Sequence, residues 1–393
     1  MDLKAILLVG GIGSTGPDAS TETLAAVPLA YLDVLGATVL ERVVRRLRQL
    51  GVSSISLISG ASDEVRPYAE RAALCANVSV TETAIGEFWE RAEESFEQFR
   101  QDGAELVLIV RIGPYIELDY EELIQHHIDK HCRMTSVISP EGEPLGTFVV
   151  DASRRADASM LLGSALRQVR DDCERFQAQR YINPLRTAGD LRRLALDAFL
   201  EKNSIRPVGR EIKPGVWVAD GARIHRKARV VAPAYVGAYS KVRAAALVTR
   251  TSVIEHHAEV DCGTVVENST ILPFTYVGAG LDVMHSVVGF RRLAHLVRNV
   301  EVEISDARLI GISAAEAISR LAGSAAALFA FLPKQIYRGF FGRPRQVCPA
   351  ELPEALAEPA AALETPDVKE PASGQEVSEF PSSFAVVRRY GEH

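Results

Sequence analysis

The sequence predicts an α/β fold: a Rossmann-type parallel sheet domain over residues 1–203, then a parallel β-helix of hexapeptide repeats over 215–290. Three observations predict it. Residues 3–9 (LKAILLV) are a continuous apolar run, as a central parallel strand buried on both faces requires. Strand-like and helix-like segments then alternate to about residue 150, the pattern of a parallel sheet covered by helices. From Val218, Ile224 and Val230 through to Val266 and Leu272, an aliphatic residue stands at every sixth position.

Each element has its own signal. Residues 38–50 (TVLERVVRRLRQL) carry apolar side chains at helical spacing and stop at Gly51. SISLIS (54–59), NVSVT (77–81), ELVLIV (105–110) and TSVIS (135–139) read as strands, and 61–73, 85–101 and 119–131 as helices. Residues 153–203 read as mostly helical, with a break at YINPLRT (181–187). In the repeat region a small residue stands two positions before the aliphatic one, from Ala222 through Ser240 and Thr264 to Thr270. A six-residue period fits neither an α-helix nor an alternating strand. It fits a solenoid whose flat faces each turn one aliphatic side chain inward, with small residues at the corners. The register slips by one after Leu272, Val277 and Val283 resume it, and the coil ends near residue 290.

With 393 residues the chain exceeds one ordinary core, and 24% charged residues exclude wholesale disorder. A formal charge of −7 argues against nucleic acid as a partner. The five cysteines are far apart, at no metal-ligand or redox spacing, and are expected to be reduced thiols of a cytoplasmic protein. The opening apolar run is too short for a signal peptide, and no window approaches the ~18 apolar residues of a membrane-spanning helix.

The loop GGIGSTG (10–16) follows the first strand, and Gly11, Gly13 and Gly16 match GxGxxG. A dinucleotide site needs a helix opening directly from that loop. Here Pro17 and Pro28 intervene and the helix waits until about residue 38, so the loop reads instead as backbone N–H groups free to approach a phosphate. Together with VPLAYLDVLGATVLERVVRRLRQLGVSSISLIS, the segment KAILLVGGIGS resembles the start of a sugar-1-phosphate nucleotidyltransferase (nucleotide-sugar pyrophosphorylase). The stretch STILPFTYVGAG (269–280) is similar to the left-handed β-helix that several members carry. The resemblance covers roughly 1–150 and 181–290. It implies a nucleotidyltransferase-like domain, a nucleotide or nucleotide sugar at Gly10, Gly11 and Gly13, Mg²⁺ if the chain is active, and a homo-oligomer assembled through the β-helix.

The chain departs from the family at the positions that carry the chemistry. Attack of a sugar phosphate on a nucleoside triphosphate depends on positioning and charge neutralisation. Where the family has a triphosphate-gripping Arg this chain has Thr15, and where the family has a phosphate-contacting Lys it has Leu29. Where the family has metal-holding Asp residues it has Arg111 and Pro184, or Asn183 with a shift. The resemblance therefore implies a catalytically degenerate homologue, a scaffold or sensor. The alternatives are an active pyrophosphorylase with rearranged residues and a hexapeptide-repeat acyltransferase.

Other residues carry weaker signals. His127 and His131 stand at i, i+4, a metal-ligand spacing, but without an adjacent Glu they read as a solvated helix face. His256, His257 and His285 lie on the β-helix, where an acyltransferase would place its base. Arg111 and Asp119 could form a salt bridge at a vacated site. Residues 313–345 read as a capped apolar helix, from Ser313 with Glu316, leading into Lys334, Arg338, Arg343 and Arg345 interleaved with aromatic residues. That segment is expected to pack in the core or to meet an anionic membrane surface or a protein partner. Residues 349–393 read as a disordered acidic tail.

Overall fold

The computed structural model describes residues 2–9, 29–60, 78–83, 88–152, 173–289, 291–313 and 387–389. The first part is α/β. In order come β1 (Leu3–Val9), the hairpin strands β2 (Asp33–Val34) and β3 (Ala37–Thr38), α1 (Val39–Gln49), β4 (Ser54–Gly60) and β5 (Val78–Thr83). Then follow α2 (Phe88–Gln101), β6 (Leu106–Ile112), β7 (Tyr115–Ile116), α3 (Tyr120–Asp129), β8 (Met134–Ile138) and β9 (Pro144–Asp151). The short strands β10 (Glu174–Gln177) and β11 (Ile182–Asn183) and the helix α4 (Ala188–Phe199) complete it. Seven strands form one sheet in the order β10-β8-β9-β6-β1-β4-β5.

β1 is buried along its whole length between β4 and β6, parallel to both. Its side chains alternate between two cores, as a strand's period of two dictates. Leu3, Ala5, Leu7 and Val9 meet Leu40, Val43 and Leu47 of α1, while Ile6 and Leu8 meet Ala92, Phe96 and Phe99 on the α2 side. A capping box between Thr38 and Glu41 fixes the start of α1. The sheet is mixed, not wholly parallel, because β9 runs antiparallel to β6 and β8. The alternating LGTFVV of β9 turns back from β8 through Ser139–Glu143. Likewise β10 is a strand inside the stretch 153–203 expected to be mostly helical, since pairing with β8 overrides local propensity.

The repeat region forms three stacks of short parallel strands, a β-helix-like arrangement. The first runs Val216–Val218, Ala234–Val236, Ser252–Ile254, Thr270–Ile271 and Ser286–Gly289. The second runs Arg223–Ile224, Lys241–Val242, Glu259–Val260 and Thr275–Val277, and the third Arg229–Val230, Leu247–Thr249, Val265–Glu267 and Asp282–Met284. The inward aliphatics form a core of their own, with Val236, Val248, Ile254 and Val266 each 0% exposed. Corner hydroxyls close the coil from inside: Thr264 Oγ1 donates to the Gly278 carbonyl and Ser252 Oγ to that of Val266.

The register slip falls earlier than the sequence suggested. Val266 pairs with Val248, 18 residues back, but Ile271 pairs with Ile254, 17 back. The shortened corner at 267–269 turns Ile271 inward and sends Leu272 outward, against the expectation that Leu272 is an inward residue. There Leu272, Tyr235, Val253 and Val287 share one core with Leu191, Leu194 and Ala195 of α4, so the α/β unit sits on the first stack.

A hairpin, Arg292–His295 with Val300–Glu303, extends the first stack antiparallel, and Ile310–Ile312 closes the second. Val387–Arg389 pairs antiparallel with Val300–Glu303. Those three residues of the segment read as a disordered tail are therefore an edge strand. The remainder of 349–393, and 314–345 with its expected helix and cations, lie outside the described residues. Among the described residues no helix is long and apolar enough to cross a membrane. Cys132 and Cys173 are free thiols, but Cys262 is disulfide-bonded, which corrects the expectation that all five cysteines are reduced.

Candidate functional site

In open α/β sheets, ligands bind beyond the carboxyl ends of the strands where strand order reverses. Here that point lies between β1 and β6, since the chain moves from β1 to β4 and β5 on one side and returns to β6 on the other. In sequence, the glycine-rich stretch 10–16 follows directly on β1. Gly10, Gly11, Gly13 and Thr15 themselves lie outside the described residues.

The remaining positions compared with the family, and the histidines, are described. Leu29 is 2% exposed and belongs to the main core, so it cannot reach a phosphate. Arg111 stands opposite Leu8 in the sheet, near the end of β6. Gly146 of β9 has φ +70, and a Cβ on it would lie 2.9 Å from Arg111 Cβ, so glycine there makes room for the arginine stem. Asp119 does not join Arg111. It accepts the Glu122 N–H at the start of α3 and pairs with Arg180 at 3.0 Å, which corrects the expected Arg111–Asp119 bridge. Pro184 is exposed, and buried Asn183 is committed to backbone, donating to the Asp190 carbonyl and accepting the Leu185 N–H.

A Mg²⁺ ion is held by carboxylate, carbonyl or phosphate oxygens. A guanidinium, a proline and an amide already used by backbone do not fit that need. Among the described residues no cluster of His, Cys, Asp or Glu is placed to hold a metal ion. The α3 histidines do not make one either. His127 is buried, its Nδ1 2.8 Å from Thr135 Oγ1, while His131 lies past the end of the helix at φ 51. The i, i+4 face is thus broken, and His127 is a core residue and not part of a solvated face.

A buried polar cluster lies where the β2–β3 hairpin meets a corner of the solenoid. Glu255, fully enclosed, accepts the N–H of Leu35 at 2.7 Å and of Gly36 at 3.0 Å. Gly36 has φ +88, and a Cβ on it would lie 2.1 Å from the Tyr235 hydroxyl, so only glycine fits. His256 Nε2 stands 2.9 Å from buried Asp33 Oδ2, an ion-pair distance, and its Nδ1 faces His257 Nδ1 at 3.0 Å. Arg42 supplies the cation and donates to the Val34 carbonyl at 2.7 Å. Burial, then the neighbouring Asp33 charge, push the Glu255 carboxyl up to about 8, against the two N–H donors and Arg42. Burial likewise raises the Tyr235 phenol.

A second clamp comes from α4. Arg192, 2% exposed, donates to the Thr251 carbonyl and Asn268 Oδ1, both at 2.8 Å, and to the hydroxyls of Thr251 and Thr270. No carboxylate is among those partners, and burial pulls its guanidinium down to about 10. Asn268 Nδ2 also stands 2.6 Å from His285 Nδ1. His256, His257 and His285 thus sit at corners engaged in contacts. The outer ring of that corner is a stack in which His257 lies between Tyr239 and Phe274, at 5.1 and 5.0 Å.

Chemically, the two clusters hold the α/β unit and the solenoid in one fixed relation. The Asp33–His256 pair has the residue types of a base and its orienting acid, but Asp33 is 1% exposed and both His256 nitrogens already face side chains. Sequence reasoning did not connect these residues, because Asp33 and His256 share no local motif. The one local sign was three consecutive titratable residues, Glu255, His256 and His257, at one corner. Compared with known proteins, the chain matches no family model and no curated protein.

Proposed function

We propose that the chain is a sugar-1-phosphate nucleotidyltransferase homologue of nucleotide-sugar or polysaccharide metabolism whose catalytic positions are degenerate, and that it serves as a scaffold or sensor. The observation that carries this reading is the strand-order reversal between β1 and β6. The glycine-rich sequence follows directly on β1, while the position of the family's phosphate-contacting lysine is the core residue Leu29. Backbone N–H groups alone can hold a phosphate. Phosphoryl transfer needs a metal ion as well, and Leu29, Arg111 and Pro184 supply no metal ligand. The reading is therefore of nucleotide or nucleotide-sugar binding without turnover. The solenoid is read as a left-handed β-helix that also joins copies of the chain, supported by half-exposed Leu247 and Val265 on the outer side of its third stack.

Calorimetric titration with nucleoside triphosphates and nucleotide sugars, run beside a pyrophosphate-release assay with Mg²⁺ and sugar-1-phosphates, tests it. Binding with no turnover is expected. Turnover that disappears on substituting Gly13 would make the chain an active pyrophosphorylase instead. The acyltransferase alternative gains nothing from His256, whose ring is enclosed by Asp33, His257 and Phe274. Binding of acetyl-CoA in the same titration would revive it.

A further inference from the structure

The two ends of the solenoid differ. At its last coil, the hairpin Arg292–His295/Val300–Glu303 and the strand Ile310–Ile312 add further layers. At its first coil, the strand Arg210–Lys213 lines the edge of the first stack alone. The inward residues there, Val218, Ile224 and Val230, are half-exposed. One coil on, Val236, Val242 and Val248 are 0%, 1% and 0% exposed. Solenoids ordinarily end in a polar cap over such a rung.

What surrounds the open rung is apolar and then cationic. Ile212 and Val231 are 45% and 41% exposed. Arg223, Arg226, Lys227 and Arg229 are all exposed on the same coil. Residues 210–231 hold six Lys or Arg against two acids, Glu211 and Asp220, in a chain whose formal charge is −7. Among the described residues no ion pair engages Arg223, Arg226 or Arg229.

We infer that this open end of the solenoid docks on an anionic bilayer surface, with the apolar rung at the headgroup boundary and the cations on lipid phosphates. An apolar patch rimmed by Lys and Arg is the combination that interfacial binding needs. A second copy docked end to end would bring two such cationic rims together, and that repulsion disfavours it. Charges on bare sheet edges also deter strand addition, and that role alone predicts no affinity for lipid.

The test is co-sedimentation of the full chain with vesicles of phosphatidylcholine and phosphatidylglycerol at low and raised salt. The chain is expected to pellet at low salt and to be released as salt screens the contact. Changing Arg223, Arg226, Lys227 and Arg229 together to Ser should lower the partition coefficient on the order of a hundredfold or more. Because all four side chains are exposed, the thermal midpoint should not move. Ile212→Ser with Val231→Ser should weaken binding without altering the net charge. The inference is overturned if the wild-type chain stays in the supernatant at low salt. It is equally overturned if the Ser variant pellets like wild type, or if only changing Lys334, Arg338, Arg343 and Arg345 releases the chain, which would assign the contact to 313–345.

Discussion

The carboxyl of Glu255 receives the backbone N–H of Leu35 at 2.7 Å, across 220 residues of sequence, so a corner of the solenoid completes the hydrogen bonds of a hairpin in the α/β unit. The Gly36 N–H joins the same carboxyl. Replacing Glu255 by Ala would leave both donors buried without an acceptor, at roughly 1–3 kcal/mol each. The expected outcome is a large fall in thermal midpoint, measured by circular dichroism at pH 6.

The same carboxyl predicts a pH dependence. Its folded-state value lies at about 8, above the ordinary 4.5. Between those values the unfolded chain has lost a proton that the folded chain keeps, so this group's contribution to stability falls as pH rises. It is complete below about 4.5 and gone above about 8. Asp33, Arg42, Tyr235 and His256 face the same cluster, and Glu255→Gln removes only the one titration. The gap in thermal midpoint between wild type and Glu255→Gln should therefore shrink from pH 5 to pH 8.5. Parallel profiles for the two chains would mean that Glu255 is ionised throughout.

Arg192 makes the second junction. Arg192→Met keeps the length of the side chain but strands the Thr251 carbonyl and Asn268 Oδ1, both 2.8 Å from the guanidinium. Each acceptor left buried and unsatisfied costs roughly 1–3 kcal/mol. Denaturant unfolding followed by both tryptophan fluorescence and circular dichroism should show a lower midpoint. If the midpoint is unchanged, the α/β unit and the solenoid do not lean on this residue.

How much of this was visible in the sequence follows from the distance over which each feature is encoded. The six-residue repeat was legible because every coil repeats the same local demand, one aliphatic residue inward. The buried strand Leu3–Val9 was legible from composition alone. The slip that turns Ile271 inward was misplaced because Ile271 and Leu272 are both aliphatic, and only pairing with Ile254 decides between them. Strand β9 was missed because its partners β6 and β8 set its direction, not its own residues. The Asp33–Glu255–His256 cluster was invisible for a similar reason: its members come from two units and meet only when those units dock. The resemblance sets Leu29 against a phosphate-contacting lysine, but that Leu29 is a core residue emerges only from packing.

That last point yields a prediction about introducing a lysine at position 29. Leu29→Lys would return a cation to the position where the resemblance places one. At 2% exposure, however, the ammonium would enter the core beside Tyr31 and Leu32. An unpaired buried charge costs several kcal/mol or loses its proton. The variant should unfold at markedly lower temperature and show no gain in pyrophosphate release. A stable Leu29→Lys chain with measurable turnover would show that the loop before α1 can rearrange to present the residue.

The solenoid itself should show a gradient of tolerance along its axis. Val248 and Val230 are successive inward residues of the third stack, paired across the coil, yet Val248 is 0% exposed and Val230 half-exposed at the open end. An aspartate at position 248 has no water and no cation inside the coil, so Val248→Asp should cost several kcal/mol and lower the thermal midpoint steeply. At position 230 the same carboxylate can reach solvent, so Val230→Asp should cost no more than about 1 kcal/mol beyond the lost apolar contact. The comparison uses one substitution at two register-matched sites, so side-chain chemistry cancels and burial remains. Equal loss at both positions would mean that the first coil is covered in solution, and the open end would then not exist as a surface. A small loss at both would mean that the inward register of the third stack is wrong.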